Sequence, residues 1–250
     1  MSEQIGPRAD SGGASGFSRR AVFLSALRYS FPVLLGYLTI GIAFGLMLSG
    51  MGYPWWLALA MSLWMYAGAG QFAAAGLFAA GTTIWQACLI QLVLNARHIA
   101  YGLSMLNRFS DQGPYKFYQI FSLTDETFAL LSSLPENLPS DRGERRLFVF
   151  LIAILDQSYW VVGSVAGALI GTMIPFDMKG IGFALTALFV VLLIEQIQRV
   201  RKPGIFLVSG IAALLGVFLL PSGISLLAAM TLALALSSAV VRLEAHEPRQ

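Results

Sequence analysis

The segment LNARHIAY, residues 94–101, lies inside an apolar run that extends over residues 84–106 and is long enough to cross a bilayer. Within four positions it carries an amide, a guanidinium and an imidazole, from Asn95, Arg97 and His98. A charged side chain at the bilayer centre costs at least about 2.5–3.5 kcal/mol, so it faces protein or water and usually has a functional role. We therefore interpret the rest of the chain as the scaffold around this polar segment.

The composition is that of a membrane protein. Of 250 residues, 57% are hydrophobic and 12% are charged, and the mean hydropathy is +0.72. Soluble domains carry about 25% charged residues, so lipid must be the solvent for most of this chain. The net charge of +3 comes from basic residues between apolar runs, which indicates the positive-inside pattern and not nucleic-acid binding. The single cysteine, Cys88, is expected to be a small buried hydrophobic residue, and neither a metal site nor a cofactor site is indicated.

Hydropathy predicts an all-α polytopic membrane protein with about seven to eight transmembrane or re-entrant helices and a glycine-rich, broken second span. We expect a disordered cytoplasmic tail at residues 1–20, a single transmembrane domain at residues 21–242 and a C-terminal tail at residues 243–250. The basic loop at residues 199–202 places both termini in the cytoplasm. The second and fourth apolar segments are the candidates for re-entrant segments. The predicted segments are residues 31–49, 57–80, 84–106, 119–134, 147–174, 181–197, 205–220 and 224–241.

Small residues recur every four positions in two of these segments. Gly41, Gly45 and Ser49 share one helix face in the first segment, and glycines at positions 163, 167 and 171 repeat the spacing in the fifth. This spacing is typical of membrane helices that pack closely.

The second segment contains YAGAGQF at residues 66–72. Gly68 and Gly70 weaken a helix in the middle of the segment. One interpretation is a partly unwound region whose free backbone groups meet a substrate, as in transporters with broken helices. The other is a close-packing site for a neighbouring helix. The residues alone favour neither interpretation.

The third segment has polar groups on two sides. At helical spacing both sides must therefore contact protein or water. One face carries Gln91, Asn95, His98 and Gly102, and the other side carries Arg97 and Tyr101.

Three carboxylates lie in the apolar segments that follow. Asp125 and Glu126 point to different sides of a helix in the fourth segment, and one of them is a natural counter-ion for Arg97. A static ion pair and a proton-carrying role both remain open for them. Asp156 lies roughly 14 Å from the start of the fifth segment by helical rise, which makes it a third candidate for a buried carboxylate.

Three motifs carry a family resemblance. They are YAGAGQF at residues 66–72, NARH at residues 95–98 followed by Tyr101-Gly102, and LTDE at residues 123–126 followed by Phe128-Ala129. With these motifs the chain resembles the AzlC family of bacterial branched-chain amino-acid permeases, including its YgaZ type, over nearly the whole chain after residue 25. The resemblance implies an inner-membrane exporter of leucine, isoleucine, valine and, in some members, methionine. It also implies a small second membrane subunit of the AzlD or YgaH type.

An amino acid presents a carboxylate, an ammonium group and a side chain, and the polar residues suggest how each is bound. Arg97 is the candidate for a bidentate pair with the carboxylate, and backbone groups freed near Gly68 are candidates for the rest of the zwitterion. The substrate-binding candidates are Tyr66, Gly68, Gly70, Gln71, Phe72, Asn95, Arg97 and Tyr101. The candidates for carrying a coupled proton are His98, Asp125, Glu126 and Asp156.

Two other classes of protein use similar residues. A channel or carrier for another small organic solute or ion needs the same buried charges, so the sequence does not separate it from an amino-acid transporter. An intramembrane enzyme is disfavoured, because no His-Glu-x-x-His motif occurs and no glycine-flanked serine supports a dyad of Ser62 or Ser104 with His98. We therefore expect a transporter without catalytic activity.

Overall fold

The structure is a computed structural model that describes residues 19–134, 141–173 and 203–219, with residues 190, 193, 194, 197, 198, 228, 231–233, 235 and 236. Every regular element assigned within these residues is helical, which confirms the all-α prediction for them. A π-helical turn at Met61–Met65 follows α2, and a 3₁₀ turn at Ser110–Gln112 precedes α5. The α-helices of the three long ranges are α1 (Arg19–Gly50), α2 (Trp55–Ala60), α3 (Gly68–Ala79), α4 (Ile84–Met105), α5 (Tyr115–Phe121), α6 (Asp125–Ser132), α7 (Arg142–Met173) and α8 (Pro203–Leu219).

Two of the described helices, α1 and α7, are long and apolar enough to cross a bilayer, with 32 residues each. Helix α1 begins at Arg19, inside the tail predicted for residues 1–20, and the rest of that tail lies outside the described residues. Helices α4 and α8 match the predicted third and seventh segments to within two residues at each end. The predicted sixth and eighth segments, the 199–202 loop and the C-terminal tail lie wholly or largely outside the described residues.

The two predicted small-residue faces pack against each other, because α1 runs along α7. A Cβ atom on Gly45 would overlap the backbone of Ser164, and a Cβ atom on Gly167 would overlap the backbone of Ile42. Only glycine permits such a close approach of two helix backbones. Helices α2, α3, α5 and α6 pack against this α1–α7 pair, and α4 packs on α3.

The second predicted segment is interrupted, as the sequence indicated, but the break precedes the glycines. Tyr66 has a left-handed backbone with φ of 37°, and Ala67 is extended, so the π-helical turn cannot continue into α3. Gly68 is already helical, and a Cβ atom there would lie 3.1 Å from the Trp160 ring. The backbone is therefore unwound at residues 66–67, and the glycines that follow pack closely against neighbouring helices.

The prediction of one continuous helix over residues 119–134 is wrong. The chain makes two short helices, α5 and α6, and α5 begins at Tyr115, four residues before the predicted start at residue 119. Helix α6 starts afresh because the Thr124 hydroxyl accepts a hydrogen bond from the Thr127 backbone N–H at 3.2 Å. The break places Asp125 and Glu126 in the first turn of α6, where the helix dipole favours negative charge.

The prediction that Cys88 is buried is wrong. Cys88 is exposed on an apolar side of α4, in line with Ile84, Trp85 and Leu92, which are 83%, 72% and 64% exposed. Hydropathy cannot distinguish an apolar side chain that faces lipid from one that faces protein, which is the physical reason for the error.

Candidate functional site

The ion pair expected of Arg97 joins α4 to the start of α6. Arg97 Nη1 lies 2.5 Å from Asp125 Oδ2, and the two side chains are 30% and 18% exposed. The Tyr101 hydroxyl donates a hydrogen bond to Asp125 Oδ1, and the Tyr101 ring stacks on Phe128 with centroids 4.5 Å apart. Asp125 is therefore the counter-ion, and its carboxylate is held by two side chains of α4.

Three residues of the predicted binding set carry a buried polar atom without a hydrogen-bond partner in the described part of the chain. These atoms are Arg97 Nε, Asn95 Oδ1 and the Tyr66 hydroxyl oxygen. An unmade hydrogen bond at a buried group costs about 1–3 kcal/mol, so such atoms are rare and call for an explanation. Arg97 and Asn95 lie on opposite sides of α4, and Tyr66 precedes α3, so the three unpartnered atoms occupy three separate places.

The Asn95 side of α4 packs on the start of α3. Gln91 Nε2 donates to the Gly70 carbonyl at 2.8 Å, and Asn95 Nδ2 donates to Gln91 Oε1 at 2.9 Å. A Cβ atom on Gly70 would lie 3.0 Å from the Asn95 amide. The structure thus brings Gly70 and Asn95 together, on the side of α4 away from Arg97.

The remaining predicted binding residues are buried in the core beside α7. Trp160 Nε1 donates to Gln71 Oε1 at 2.8 Å. Phe72 packs edge-on to Phe44 with centroids 5.3 Å apart, and Tyr66 is only 3% exposed. These side chains fix the interrupted helix against its neighbours and form no hydrogen bond with Arg97 among the described residues.

Carbonyl groups freed by the break before α3 are satisfied by α7. Gln157 Nε2 donates to the carbonyls of Ser62 and Leu63 at 3.3 and 3.0 Å. Tyr118 of α5 in turn donates to Gln157 Oε1 at 2.5 Å. Gln157 therefore connects the first interruption to the second, a role that the sequence interpretation missed. Its position beside Asp156 in the middle of an apolar helix was the available signal, because a buried amide needs partners.

The other two predicted carboxylates are joined by a chain of hydroxyl groups. Tyr37 donates to Glu126 Oε2 at 2.9 Å and is hydrogen-bonded to the Thr124 hydroxyl. Thr124 Oγ1 lies 3.1 Å from Thr127 Oγ1, which donates to Asp156 Oδ2 at 2.8 Å. Asp156 is fully buried, as predicted. Tyr37 and Thr127 were not among the predicted site residues, although Thr124 and Thr127 have the spacing of a helix cap.

His98 lies apart from these hydrogen bonds. Its ring meets the Tyr101 ring edge-on with centroids 5.9 Å apart. With Gly102 it lines an apolar groove whose other wall is formed by Ile120 and Phe121 of α5. Among the described residues no group of three or more histidine, cysteine, aspartate or glutamate side chains is arranged to hold a metal ion.

These features define a class, namely a helical membrane protein with an ion pair and hydrogen-bonded carboxylates beside two interrupted helices. A family model described as AzlC protein matches residues 32–174. That region is more than half of the chain and contains every candidate site residue. The chain belongs to the AzlC family.

Relatives from several bacteria match most of the chain. A membrane protein of uncharacterized function from Helicobacter pylori is 42% identical over 181 residues, covering 71% of this chain and 78% of the relative. The Branched-chain amino acid transport protein AzlC of Bacillus subtilis is 35% identical over 184 residues, covering 73% and 70%. The Inner membrane protein YgaZ of Escherichia coli is 31% identical over 185 residues, covering 72% and 75%. No solved structure matches the chain.

Proposed function

We propose that this protein is a secondary transporter that exports branched-chain amino acids across the bacterial inner membrane. The substrates are leucine, isoleucine and valine, with methionine as a further candidate. The Arg97–Asp125 pair is the observation that carries the proposal. It presents one cation and one anion, partly accessible, on two different helices. An amino acid also carries one anion, its carboxylate, and one cation, its ammonium group. The carboxylate can pair with Arg97 and the ammonium group with Asp125, in place of the Arg97–Asp125 ion pair.

In this proposal Arg97 binds the substrate carboxylate. Its Nε has no partner in the described structure, and a guanidinium binds a carboxylate best through two parallel N–H groups. Asp125 then receives the substrate ammonium group, while Tyr101 keeps the Asp125 carboxylate in place. Because α6 begins at a break, its first turn can shift relative to α4 without distorting a continuous helix.

The predicted residues near the first interruption have a positioning role in this proposal. The hydrogen bond from Trp160 Nε1 to Gln71 Oε1, at 2.8 Å, holds α3 against α7. Gly70 has no side chain and therefore lets α4 approach α3 closely. Tyr66 and Phe72 belong to the buried aromatic packing between α1 and α3. They set where α4, and therefore Arg97, lies.

Transport is coupled to protons in this proposal, and the carboxylates carry them. Four candidates were predicted, and the geometry favours two of them. Asp125 is already paired with Arg97, and His98 meets the Tyr101 ring edge-on, outside the hydroxyl chain. Glu126 and Asp156 lie at the two ends of the hydroxyl chain.

The proposed topology has both termini in the cytoplasm and seven or eight spans, the count depending on whether the two interrupted segments cross the bilayer. The family resemblance supports a small AzlD- or YgaH-type membrane subunit as a partner. The apolar α4 face around Trp85 and Leu92 is exposed in the described structure and faces lipid in this topology.

Export from dipeptide-loaded cells tests the proposal. Cells carrying this chain alone, or this chain with its candidate small subunit, are loaded with leucine-, valine- or methionine-containing dipeptides. Intracellular free amino acid is then followed over time. Faster loss of leucine or valine than in cells without the chain supports the proposal, and a requirement for both chains makes the partner obligatory. Unchanged efflux of all three amino acids in both strains contradicts it.

A further inference from the structure

A continuous line of hydroxyl groups connects a surface carboxylate to a buried one. Glu126 is exposed, whereas Asp156 and Thr127 are 0% exposed, and Tyr37 and Thr124 are 3% and 6% exposed. Each neighbouring pair along this line is hydrogen-bonded. The line crosses three helices, because Tyr37 belongs to α1, both threonines and Glu126 lie at the start of α6, and Asp156 belongs to α7.

We infer that Tyr37, Thr124 and Thr127 form a proton relay between Glu126 and Asp156, and that this relay couples proton movement to transport. The inference rests on the proposed function and deepens it, since it assigns the path that the coupled proton follows. Carboxylate-to-carboxylate relays inside a membrane protein are an established physical means of moving protons through a medium that excludes free ions.

The transfer is balanced at every group. Protonated Glu126 gives its proton to the Tyr37 oxygen, and Tyr37 passes its own hydroxyl proton to Thr124. Thr124 passes its proton to Thr127, which donates its proton to Asp156 Oδ2. Each hydroxyl gains one proton and loses one, so the net change is that Glu126 becomes a carboxylate and Asp156 becomes a carboxylic acid. No metal ion or other reactant is needed.

The hydrogen-bond directions suit reversible transfer. Tyr37 donates outward to Glu126, and Thr127 donates outward to Asp156. Thr124 donates its single hydroxyl proton to Thr127, and the Tyr37 hydroxyl can turn from Glu126 to Thr124. With Tyr37 so turned, every donor points from Glu126 towards Asp156. After one transfer the donors all point the other way, which allows the return transfer, whereas a second transfer in the same direction requires all three hydroxyl groups to rotate.

Substrate binding and proton position are linked through adjacent charges. Glu126 follows Asp125 directly, so a substrate ammonium group at Asp125 also lies close to Glu126 and favours its ionised form. The proton displaced from Glu126 then has a buried acceptor in Asp156, whose Oδ1 has no hydrogen-bond partner in the described structure. Binding of the substrate ammonium group at Asp125 thereby moves a proton from Glu126 to Asp156.

Other ionisable groups face the two ends of the relay, Glu126 and Asp156, and contribute to the pH dependence of transport. Next to Glu126 these groups are Arg97 of α4, Asp125 of α6 and Tyr37 of α1. Next to Asp156 they are Tyr66 before α3, Tyr118 of α5, Tyr159 of α7 and Glu126 itself.

Two transport modes in liposomes test the relay. The full-length protein, with the small subunit if the cell assay requires it, is reconstituted and labelled leucine is followed. The first mode is leucine–leucine exchange without a pH gradient, and the second is net leucine movement driven by an imposed pH gradient. A pH-sensitive dye trapped inside reports the accompanying proton flux.

The variants remove one hydroxyl group at a time. In Thr127→Val and Tyr37→Phe, we expect gradient-driven movement and proton flux to fall on the order of 10²-fold, with exchange within about twofold of the unsubstituted protein, because substrate contacts remain. Thr127→Ser keeps a hydroxyl group and should retain both modes. Thr39→Val and Tyr115→Phe are matched controls on exposed side chains of α1 and α5.

Each outcome is decisive. Loss of gradient-driven movement with retained exchange supports the relay. Normal gradient-driven movement in Thr127→Val and Tyr37→Phe overturns it. Parallel loss of both modes in these two variants, with Thr127→Ser also inactive, shows that the hydroxyl groups only hold the helices together and overturns it as well. If the unsubstituted protein exchanges no leucine, the proposed function itself fails, and the relay falls with it.

Discussion

Neutralising Arg97 and Asp125 singly and then together separates what this pair contributes to folding from what it contributes to transport. The three variants are Arg97→Gln, Asp125→Asn and the double variant. Each single change leaves an unpaired charge beside the helix break, whereas the double change leaves none. A structural pair and a binding pair therefore differ in the behaviour of the double variant.

The structure sets the size of the stability effect. Two unit charges about 4 Å apart interact by about 4 kcal/mol at an effective dielectric constant of about 20. The Arg97 and Asp125 side chains are 30% and 18% exposed, so solvent screens part of this energy. We expect each single change to lower the free energy of unfolding by about 1–3 kcal/mol. In the double variant the loss should shrink to about 1 kcal/mol or less, because no orphan charge remains.

Transport should not recover with stability. A hydrogen bond to a charged group contributes about 1.5–3 kcal/mol, so loss of the bond from Arg97 to the substrate carboxylate should slow export by about 10- to 150-fold. The double variant should be as slow as the single ones. Thermal unfolding in detergent measures stability, and leucine efflux from dipeptide-loaded cells measures transport. Arg28→Gln and Asp111→Asn change exposed charges and serve as controls. Recovery of both stability and export in the double variant would refute a binding role for the pair.

Three further expectations follow from the packing. Gly45→Ala should cost about 1–3 kcal/mol in unfolding free energy, because its Cβ overlaps the α7 backbone, whereas Gly36→Ala, with open space around it, should not lower the melting temperature. Gln157→Leu should lower the free energy of unfolding by about 1–3 kcal/mol, because it leaves the carbonyls of the π-helical turn unpaired. Ser158→Ala, on the exposed side of α7, is its control. A melting temperature of Gln157→Leu equal to that of the unsubstituted protein would contradict this expectation. Cys88→Ser should leave export unchanged, since Cys88 is exposed and outside the site; a strong loss would place it in a functional contact.

The strongest local signals in the sequence predicted the corresponding parts of the structure. A charge in an apolar segment must find a partner, and this requirement pointed from Arg97 to the two carboxylates of the next apolar segment, Asp125 and Glu126. Small residues at four-residue spacing likewise predicted the close packing of α1, because that spacing defines one face of a helix. Both inferences depend on physics that acts within one segment.

The partners of single polar side chains could not be predicted in this way. Tyr37 bonds to Thr124 across 87 residues of sequence, and Gln157 bonds to Ser62 across 95. A hydroxyl or amide group in an apolar helix indicates that some partner exists, but the sequence does not show which one, since the choice depends on how the helices cross.

The break before α3 shows the limit of propensity. The glycines suggested unwinding, yet the left-handed residue is Tyr66, which has a side chain and pays a conformational cost there. Its ring is buried edge-on to Tyr37 with centroids 6.5 Å apart. Tertiary packing therefore selects the position of the break, and the glycines that follow supply close contacts to α4 and α7.

If Arg97 and Asp125 recognise the two charges of an amino acid, a leucine analogue that lacks one of those charges should compete poorly with leucine. Leucine–leucine exchange is measured in liposomes with an excess of leucinamide, which lacks the carboxylate, or of 4-methylpentanoate, which lacks the ammonium group. Valine serves as the positive competitor. We expect valine to inhibit exchange and neither analogue to do so. Inhibition by 4-methylpentanoate or leucinamide as strong as that by valine would show that only one charge, or only the side chain, is recognised, and would contradict the paired site.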